Sequence, residues 1–352
     1  MQQDLYCAYH TYKEIIDHPE GWQSAIAALD EQRDALRNLR HAHTGQVIFT
    51  GCGSTYYLAR AAAPIFRKAL NRPAIAHPAS DIWLYPDEML PAGENPLLVA
   101  LSRSGETSET IHAIDRFRER SASPVICITC YPHTPMVEQA DISVIARDAH
   151  EESVAQTRSF SSMAVAMSGL ANILTGQSLS DTFRALPALG SQLLEENYDL
   201  ARQLGVDLAI DRFFFLGGAS FYGYACEAML KMKEMTLSYS EAFHFMEFRH
   251  GPMSMVTPTS LVVGLLSERA FSQEMAVLRD MQKLGARVLG IVPAGYDAAG
   301  LEHVISLPGG LPDSERGALY LPALQMLAFY RALARGENPD KPHNLTKVVN
   351  LG

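Results

Sequence analysis

The strongest constraint on the fold is a set of four apolar segments that occurs twice in the chain. In each copy, one apolar segment leads into small residues and a serine, and three further segments follow in the same order. Corresponding landmarks are separated by 162 to 166 residues. The pairs are residues 48–54 with 213–220, 98–104 with 261–267, 125–129 with 288–292, and 142–145 with 304–307. Landmarks that recur in one order at nearly one offset predict an internal duplication.

The stretches between these segments have the length and pattern of helices. Strands that alternate with helices predict βαβ units and a parallel sheet. We therefore expect an α/β chain with two similar domains, the first holding a further strand at residues 75–77. Helices are predicted over residues 3–16, 20–40, 159–175 and 181–204. The predicted division is residues 1–40 as N-terminal helices, 41–180 and 181–335 as the two α/β domains, and 336–352 as a tail.

The composition of the chain limits the classes of binding partner and the cellular compartment that we expect. A net charge of −10 argues against nucleic acid or an anionic membrane surface as the main partner. No apolar run has the length of a membrane span, and the first residues lack the pattern of a signal peptide. Five scattered cysteines suit a reducing compartment, so we expect a cytoplasmic protein. Cys127 and Cys130 form a C-x-x-C pair, which we interpret as buried, inert thiols, since no second pair or His spacing completes a metal site.

Two loops in the first domain have the composition of an anion site. One follows the strand near residue 48 and contains Ser54 and Thr55, and the other spans residues 102–107. In an open parallel sheet, ligands bind beyond the carboxyl ends of the strands, and helix N-termini there favour anions. Hydroxyl and backbone N–H groups suit a phosphate monoester without a metal. The alternative is that these residues only cap helices and close turns. The second domain retains little of this pattern, so one phosphate site per chain is expected.

Acid–base chemistry is indicated by the charged stretch at residues 227–252. Glu227, Lys231 and Glu234 have i, i+4, i+7 spacing, which places them on one face of a helix. The first part of the stretch is predicted to be a helix that carries Lys231 and Glu234. Gly251 and Pro252 keep that helix from continuing far, and a following segment is expected to end with His250 at a turn. An acid, a base and an amine close together are typical of proton transfer. A solvated helix face with an ordinary Glu227–Lys231 ion pair is the alternative.

Six motifs in this order resemble the SIS (sugar isomerase) family. They are residues 51–55, 102–107, 153–160, 227–234, 247–252 and 344–347. The chain looks most like the isomerase half of glucosamine-6-phosphate synthase and the related stand-alone aminosugar-phosphate deaminases and isomerases. The resemblance implies two tandem SIS domains, each a parallel five-stranded flavodoxin-like sheet with helices on both faces.

The resemblance also implies a role for each matching position. Glu234 would be the base that moves a proton between C1 and C2, and Lys231 would position hydroxyls and relay protons. His250 would assist ring opening, reaching the site of a neighbouring subunit in a homodimer. Lys347 would form a Schiff base, and Val154 and Thr346 would touch the sugar. The residues that would hold the phosphate are Ser54, Thr55, Ser102, Arg103, Ser104 and Thr107.

The expected activity is therefore aminosugar-phosphate deamination and isomerisation, without a cofactor. Glucosamine 6-phosphate and water would give fructose 6-phosphate and ammonia, because no glutaminase domain that could supply ammonia is visible in the sequence. The alternatives are an aldose–ketose phosphosugar isomerase, a fructosamine-6-phosphate deglycase and a sugar-phosphate sensor. Arg103 and Arg158 depart from the family pattern. Arg103 could contact phosphate or point to solvent, and either arginine could meet the carboxylate of a deglycase substrate.

Overall fold

The computed structural model describes residues 6–42, 45–90 and 95–348, without the side chains of residues 40–42. The described residues form two compact units. The first-sheet unit consists of described residues from 17–151, 158–187 and 346–348, and the second-sheet unit of those from 6–16, 152–157 and 188–345. The chain therefore passes between the units several times.

The first-sheet unit is built on five parallel strands in the order β2-β1-β3-β4-β5. Their bounds are β1 Val47–Gly51, β2 Ala74–Pro78, β3 Leu97–Leu101, β4 Val125–Thr129 and β5 Ile142–Ile145. All residues of β1, β3 and β4 are buried. Burial on both faces explains why these three strands are continuous apolar runs in the sequence. The half-buried strands β2 and β5 were also predicted.

Helices surround this sheet and supply its core. They are α2 His18–Glu31, α3 Arg33–Ala42, α4 Ser54–Leu70, α5 Ala79–Leu84, α6 Pro86–Met89, α7 Ser108–Arg120, α8 Pro135–Gln139, α9 Arg158–Leu174 and α10 Asp181–Arg184, with a 3₁₀ turn at Arg147–Ala149. All but two of the 17 residues of α9 are buried. Trp22 of α2 is buried and donates to Ser161 Oγ at 2.8 Å, which fixes α2 against α9.

The second sheet repeats this arrangement. Its parallel strands have the order β10-β9-β8-β6-β7, which read from the other edge matches the order of the first sheet. The strands are β6 Arg212–Gly217, β7 Tyr239–Phe243, β8 Ser260–Leu265, β9 Arg287–Val292 and β10 His303–Ser306. The helices are α1 His10–Ile16, α11 Leu186–Val206, α12 Ser220–Thr236, α13 Phe245–Phe248, α14 Phe271–Lys283 and α15 Leu321–Ala334, with 3₁₀ turns at Pro252–Met255 and Gly317–Tyr320.

Helix α1 belongs to the second-sheet unit although it lies at the start of the chain. The Asp340 carboxylate accepts from the backbone N–H groups of His10 at 3.0 Å and Thr11 at 2.8 Å. These N–H groups belong to the first helical turn, where N–H groups have no acceptor within the helix. Tyr12, Tyr198 and Tyr330 form a chain of hydroxyl hydrogen bonds among α1, α11 and α15. Both ends of the second-sheet unit are thus held by polar contacts.

Several predicted helix bounds are wrong. The helix predicted over residues 20–40 is two helices, separated at Gln32 where no glycine or proline marks a break. The helix predicted over 181–204 is also interrupted, at Ala185. Of the helix predicted over 3–16, residues 3–5 lie outside the described residues, and the helix begins only at His10. None of the helices in the described ranges combines the length and apolar character needed to cross a membrane.

The charged stretch at residues 227–252 forms a helix and a later segment, as predicted, with a strand between them that was not predicted. Helix α12 ends at Thr236, since Leu237 adopts a left-handed conformation with φ 52°. The edge strand β7 follows and was not predicted, because only Ser240 among its five residues is buried. An edge strand that faces solvent carries no apolar run to mark it. Gly251 lies after the short helix α13, directly before the 3₁₀ turn that begins at Pro252.

The duplication extends to a detail of the backbone. Gly53 precedes α4 with φ 54° and ψ −122°, and Ala219 precedes α12 with φ 48° and ψ −118°. Positive φ costs an alanine free energy because its Cβ crowds the backbone, whereas glycine has no such cost. The two sheets therefore use the same turn from strand to helix, and the second contains a strained residue.

The pair Gly53 and Ala219 allows a reciprocal test of this strain. Ala219→Gly is expected to raise the free energy of unfolding by about 1 kcal/mol, and Gly53→Ala to lower it by a similar amount. A Cβ at Gly53 would meet no atom within 4 Å, so a packing clash does not enter. Urea unfolding curves of the two variants would measure both shifts. Shifts of the same sign would contradict the proposed cause.

Candidate functional site

The loop between β1 and α4 is held closed by Thr55. Its hydroxyl accepts from Cys52 N–H and donates to the Cys52 carbonyl, both at 2.9 Å. Gly51 permits this close approach, because a Cβ there would lie 2.6 Å from Thr55 Oγ1. Ser54 and Thr55 are both buried at the start of α4. The loop therefore has a fixed shape at the carboxyl end of β1.

The loop after β3 is similarly ordered by its own hydroxyls. Ser102 Oγ accepts from Gly105 N–H at 3.1 Å and lies 3.3 Å from Thr107 Oγ1. Ser104 Oγ accepts from Glu106 N–H at 3.2 Å. Strands β1 and β3 are adjacent and parallel, so both predicted anion loops lie next to each other at the carboxyl ends of the strands. The hydroxyls therefore close turns, which was the predicted alternative to an anion site. This does not prevent anion binding, because a hydroxyl that accepts a hydrogen bond can still donate its own proton to an anion.

Arg103 does not point to solvent, which was one of its two predicted positions. Its side chain is 4% exposed, and Nη1 lies 3.5 Å from Glu151 Oε2, whose side chain is fully buried. Nη2 donates to the Lys347 carbonyl at 2.8 Å. Glu151 is thus a residue of the site that sequence reasoning missed, because no local pattern pairs it with an arginine 48 residues earlier.

A cavity of about 290 Å³ lies beside these loops within the first-sheet unit. Three of its lining residues are predicted site residues, namely Arg103, Ser104 and Lys347. The other lining residues are Glu106, Tyr131, Pro132, His133, Thr134 and Val348. The residue that carries the predicted amine and two members of the predicted phosphate set therefore line the same space.

The two predicted sugar contacts lie in different units. Thr346 belongs to the first-sheet unit, is exposed, and donates from Oγ1 to the Val348 carbonyl at 3.1 Å. Val154 belongs to the second-sheet unit, where its N–H donates to the Asp340 carbonyl at 3.0 Å. Neither contact tests a role in binding sugar.

In the second-sheet unit, α12 carries a buried lysine between two acids. Lys231 Nζ lies 2.6 Å from Glu234 Oε2 and 3.3 Å from Glu227 Oε1. The side chains of Lys231 and Glu227 are 1% and 0% exposed, so the alternative of a solvated helix face is wrong. Burial lowers the pKa of Lys231, but the two carboxylates outweigh it and the pKa is raised. The ammonium is therefore charged and holds Glu234, which is 21% exposed, in one orientation.

His250 lies at the end of the short segment after β7. Its N–H donates to the Glu247 carbonyl at 3.0 Å, and Gly251 follows with φ 129°. The His250 and Glu247 side chains are exposed. The turn that the sequence predicted thus presents an imidazole to solvent.

The second sheet fills its own anion position with a carboxylate. Glu274 in α14 is buried and accepts from Ser267 N–H at 2.6 Å and from Ser267 Oγ at 3.1 Å. A Cβ added at Gly218 would lie 2.9 Å from Glu274 Oε1, so the carboxylate also approaches the loop before α12. Burial raises the pKa of Glu274 to about 7. Sequence reasoning found the loss of the loop pattern here but not this substitute.

The cysteine interpretation is confirmed for the C-x-x-C pair. Cys127 and Cys130 are buried, and burial raises the pKa of Cys127 to about 11. A thiol in such a setting is a poor nucleophile. Among the described residues, no group of three or more His, Cys, Asp or Glu is arranged to hold a metal ion.

Comparison with known proteins finds a family domain in the first half of this chain. Residues 39–173, which include the first sheet, match the family model described as SIS domain. The relatives and solved structures that resemble the whole chain carry the names of phosphosugar enzymes.

The curated relatives are longer proteins with an aminotransferase name. Glutamine–fructose-6-phosphate aminotransferase (isomerizing) of Halobacterium salinarum is 27% identical over 97% of this chain and 59% of its own length. The protein of the same name from Symbiobacterium thermophilum is 32% identical over 73% of this chain and 44% of its own length. The chain spans about half to three-fifths of the first curated relatives that it matches.

Solved structures match over nearly the full chain. Glucosamine-6-phosphate deaminase from Thermotoga maritima is 28% identical, with a TM-score of 0.79 over 97% of this chain and 100% of that chain. Tagatose-6-phosphate ketose/aldose isomerase from Escherichia coli has a TM-score of 0.85 over 94% of both chains but is 23% identical, so it shows a shared fold alone.

The raised pKa of Glu274 predicts a pH dependence of stability. The folded pKa of about 7 exceeds the ordinary value of 4.5, so the folded state binds the extra proton. The stabilisation is present below pH 4.5 and lost as the pH rises through 7, by up to about 3 kcal/mol. Glu274→Gln removes this titration. Unfolding curves at pH 5 and pH 8 should show a smaller loss for the variant than for the parent, and equal losses would contradict the assignment.

Proposed function

We propose that the chain is an aminosugar-phosphate deaminase and isomerase. Glucosamine 6-phosphate and water would give fructose 6-phosphate and ammonia. The observation that carries the proposal is the buried Lys231 ammonium 2.6 Å from the partly exposed Glu234 carboxylate, because it holds a base in place for proton transfer. The match to a glucosamine-6-phosphate deaminase over that protein's whole length supports the choice of reaction.

The first steps are phosphate binding, ring opening and proton transfer. The hydroxyls of Ser102, Ser104 and Thr107, with Ser54, Thr55 and the loop N–H groups, bind the phosphate. His250 assists opening of the sugar ring to the aldehyde. Glu234 removes the proton from C2, which bears the amine, and returns a proton to C1. The product of this transfer is a ketimine at C2, with no net change in atoms.

The remaining steps release nitrogen. The Lys347 amine attacks C2, ammonia leaves, and the resulting Schiff base is hydrolysed by water to the ketose and free lysine. One water is consumed and one ammonia is released in each turnover. Lys231 orients substrate hydroxyls and relays protons, while Val154 and Thr346 contact the sugar. Lys347 lines the cavity next to Ser104, which supports this placement of the amine.

Three other functions remain as alternatives. An aldose–ketose phosphosugar isomerase would use the same base and release no nitrogen. A fructosamine-6-phosphate deglycase would need a cation for the carboxylate of its substrate. Arg103 suits that role poorly, because both of its terminal nitrogens already contact Glu151 and Lys347. A sugar-phosphate sensor would not need the amine of Lys347.

Our proposal extends to architecture and assembly. The strand order 2-1-3-4-5 of both sheets supports a flavodoxin-like assignment and a second SIS domain. We retain residues 1–40, 41–180, 181–335 and 336–352 as the proposed linear division. A cytoplasmic homodimer, in which His250 serves the neighbouring subunit, is part of the same proposal, and the exposure of His250 supports it.

An ammonia-release assay tests the reaction. The purified chain with glucosamine 6-phosphate should release ammonia and fructose 6-phosphate in equal amounts without an added cofactor. Glu234→Gln should reduce turnover at least about a hundredfold, since general bases contribute that much. The matched control is Glu247→Gln, an exposed acid 13 residues later, which should retain turnover within about twofold, as expected for a surface change. Ketose formed from an aldose phosphate without nitrogen release would favour the plain isomerase.

Subunit mixing tests the proposed role of His250. His250→Ala and Glu234→Gln chains should each be inactive alone. If His250 acts on the neighbouring subunit, mixed dimers contain one site with both residues intact, so mixing should restore up to about a quarter of the activity for random exchange. Reassociation would be checked by the mass of tagged and untagged chains. Confirmed mixed dimers without activity would place His250 with the site of its own chain.

A further inference from the structure

Arg103 is held on two sides within the first-sheet unit. Its Nη1 faces the buried carboxylate of Glu151 at 3.5 Å, and its Nη2 donates to the Lys347 carbonyl at 2.8 Å. The side chain is 4% exposed. A buried guanidinium needs a compensating charge and hydrogen bonds, and these two groups supply them.

Glu151 is itself fixed in place. Its carboxylate accepts a hydrogen bond from the Ser159 hydroxyl at the start of α9. Its backbone carbonyl accepts from the Tyr131 hydroxyl at 3.2 Å, and Tyr131 lines the cavity. The arginine is therefore paired with a buried glutamate that α9 and the loop after β4 both hold.

The hydrogen bond to Lys347 links the loop after β3 to a segment 244 residues later in the chain. Residues 345–348 lie outside any helix or strand. A lysine side chain on such a segment samples many positions unless its backbone is held. The acceptor is the backbone carbonyl of Lys347, and Lys347 is one of the residues that line the cavity.

We infer that Arg103 is a positioning residue that fixes the backbone of Lys347 at the cavity, rather than a ligand of the substrate phosphate. This inference rests on the proposed function for the role of the Lys347 amine, but the placement of the backbone does not. Holding the amine near its target increases the rate of a covalent step without a direct contact to the substrate. Phosphate remains with the hydroxyls and N–H groups of the two loops.

Proteolysis tests the placement without any assay of activity. An endoprotease that cleaves after lysine must bind the Lys347 carbonyl, which Arg103 holds in the parent protein. Arg103→Gln should therefore speed release of residues 348–352 at least about fivefold, the effect of losing one charged hydrogen bond. Mass spectrometry of the native protein over time would measure it. The matched control is Arg116→Gln in α7, an exposed arginine paired with Glu119, which should not change the rate.

Loss of Arg103 alone leaves Glu151 buried without its cation, which could unfold the unit. The double variant Arg103→Gln, Glu151→Gln removes both charges and controls for this. It should melt near the parent temperature and still release the fragment faster. Equal cleavage rates for the parent and this folded double variant would overturn the inference.

Chemical trapping separates positioning from phosphate binding. With fructose 6-phosphate and borohydride, the rate of adduct formation at Lys347 should fall about tenfold in the double variant. This corresponds to an increase of about 1.4 kcal/mol in the activation free energy when the amine is no longer oriented. Affinity for inorganic phosphate should change less than about twofold, as for a residue without a phosphate contact. A fall in phosphate affinity as large as the fall in trapping would make Arg103 a phosphate ligand instead.

The outcomes also separate this inference from the proposed function. If the parent forms no adduct at Lys347 but the double variant is cleaved faster, the covalent role fails and the placement stands. If the parent forms the adduct but cleavage and trapping are unchanged in the variant, the proposed function stands and the inference fails.

Discussion

Parallel pairing of every strand determines where polar chemistry can lie in this chain. The central strands of both sheets are buried on both faces, so their side chains are apolar and fill the core. Polar residues of the connecting loops then gather where strands end and helices begin. The hydroxyl loops, Arg103, and the Ser267–Glu274 contact all occur at such ends. The apolar core and the polar loop residues are thus kept apart by the parallel sheet itself and not by any one residue.

Most of the fold could be predicted from the sequence, because buried strands leave apolar runs and the two copies reinforce each other. Nine of the ten strands in the described residues were predicted, and β7 was missed because it is a largely exposed edge strand. Helix ends were predicted less well. Nothing in the residues around Gln32 or Leu237 marks a break, so packing and not local preference decides where these helices stop.

The candidate site was predictable where spacing along one element decides contact. Lys231 meets Glu227 and Glu234 because residues three and four apart share a helix face. The partners of Arg103 could not be predicted, since Glu151 and Lys347 come from distant parts of the chain. The contact between Glu274 and Ser267 could not be predicted either. It depends on where α14 starts, and the sequence around Glu274 does not mark that start. Sequence thus predicted the groups, and the fold decided which of them meet.

The contacts of Asp340 and Lys347 have a consequence for synthesis on the ribosome. Asp340 caps α1, and Lys347 contacts Arg103, so each unit includes residues from near both ends of the sequence. An N-terminal domain commonly folds while the rest of the chain is still being made. Here the second-sheet unit lacks the cap of its first helix until residue 340 has emerged, and the first-sheet unit lacks its last partner until residue 347. Until these two residues have been made, the nascent chain therefore carries two units that each lack a contact between early and late residues.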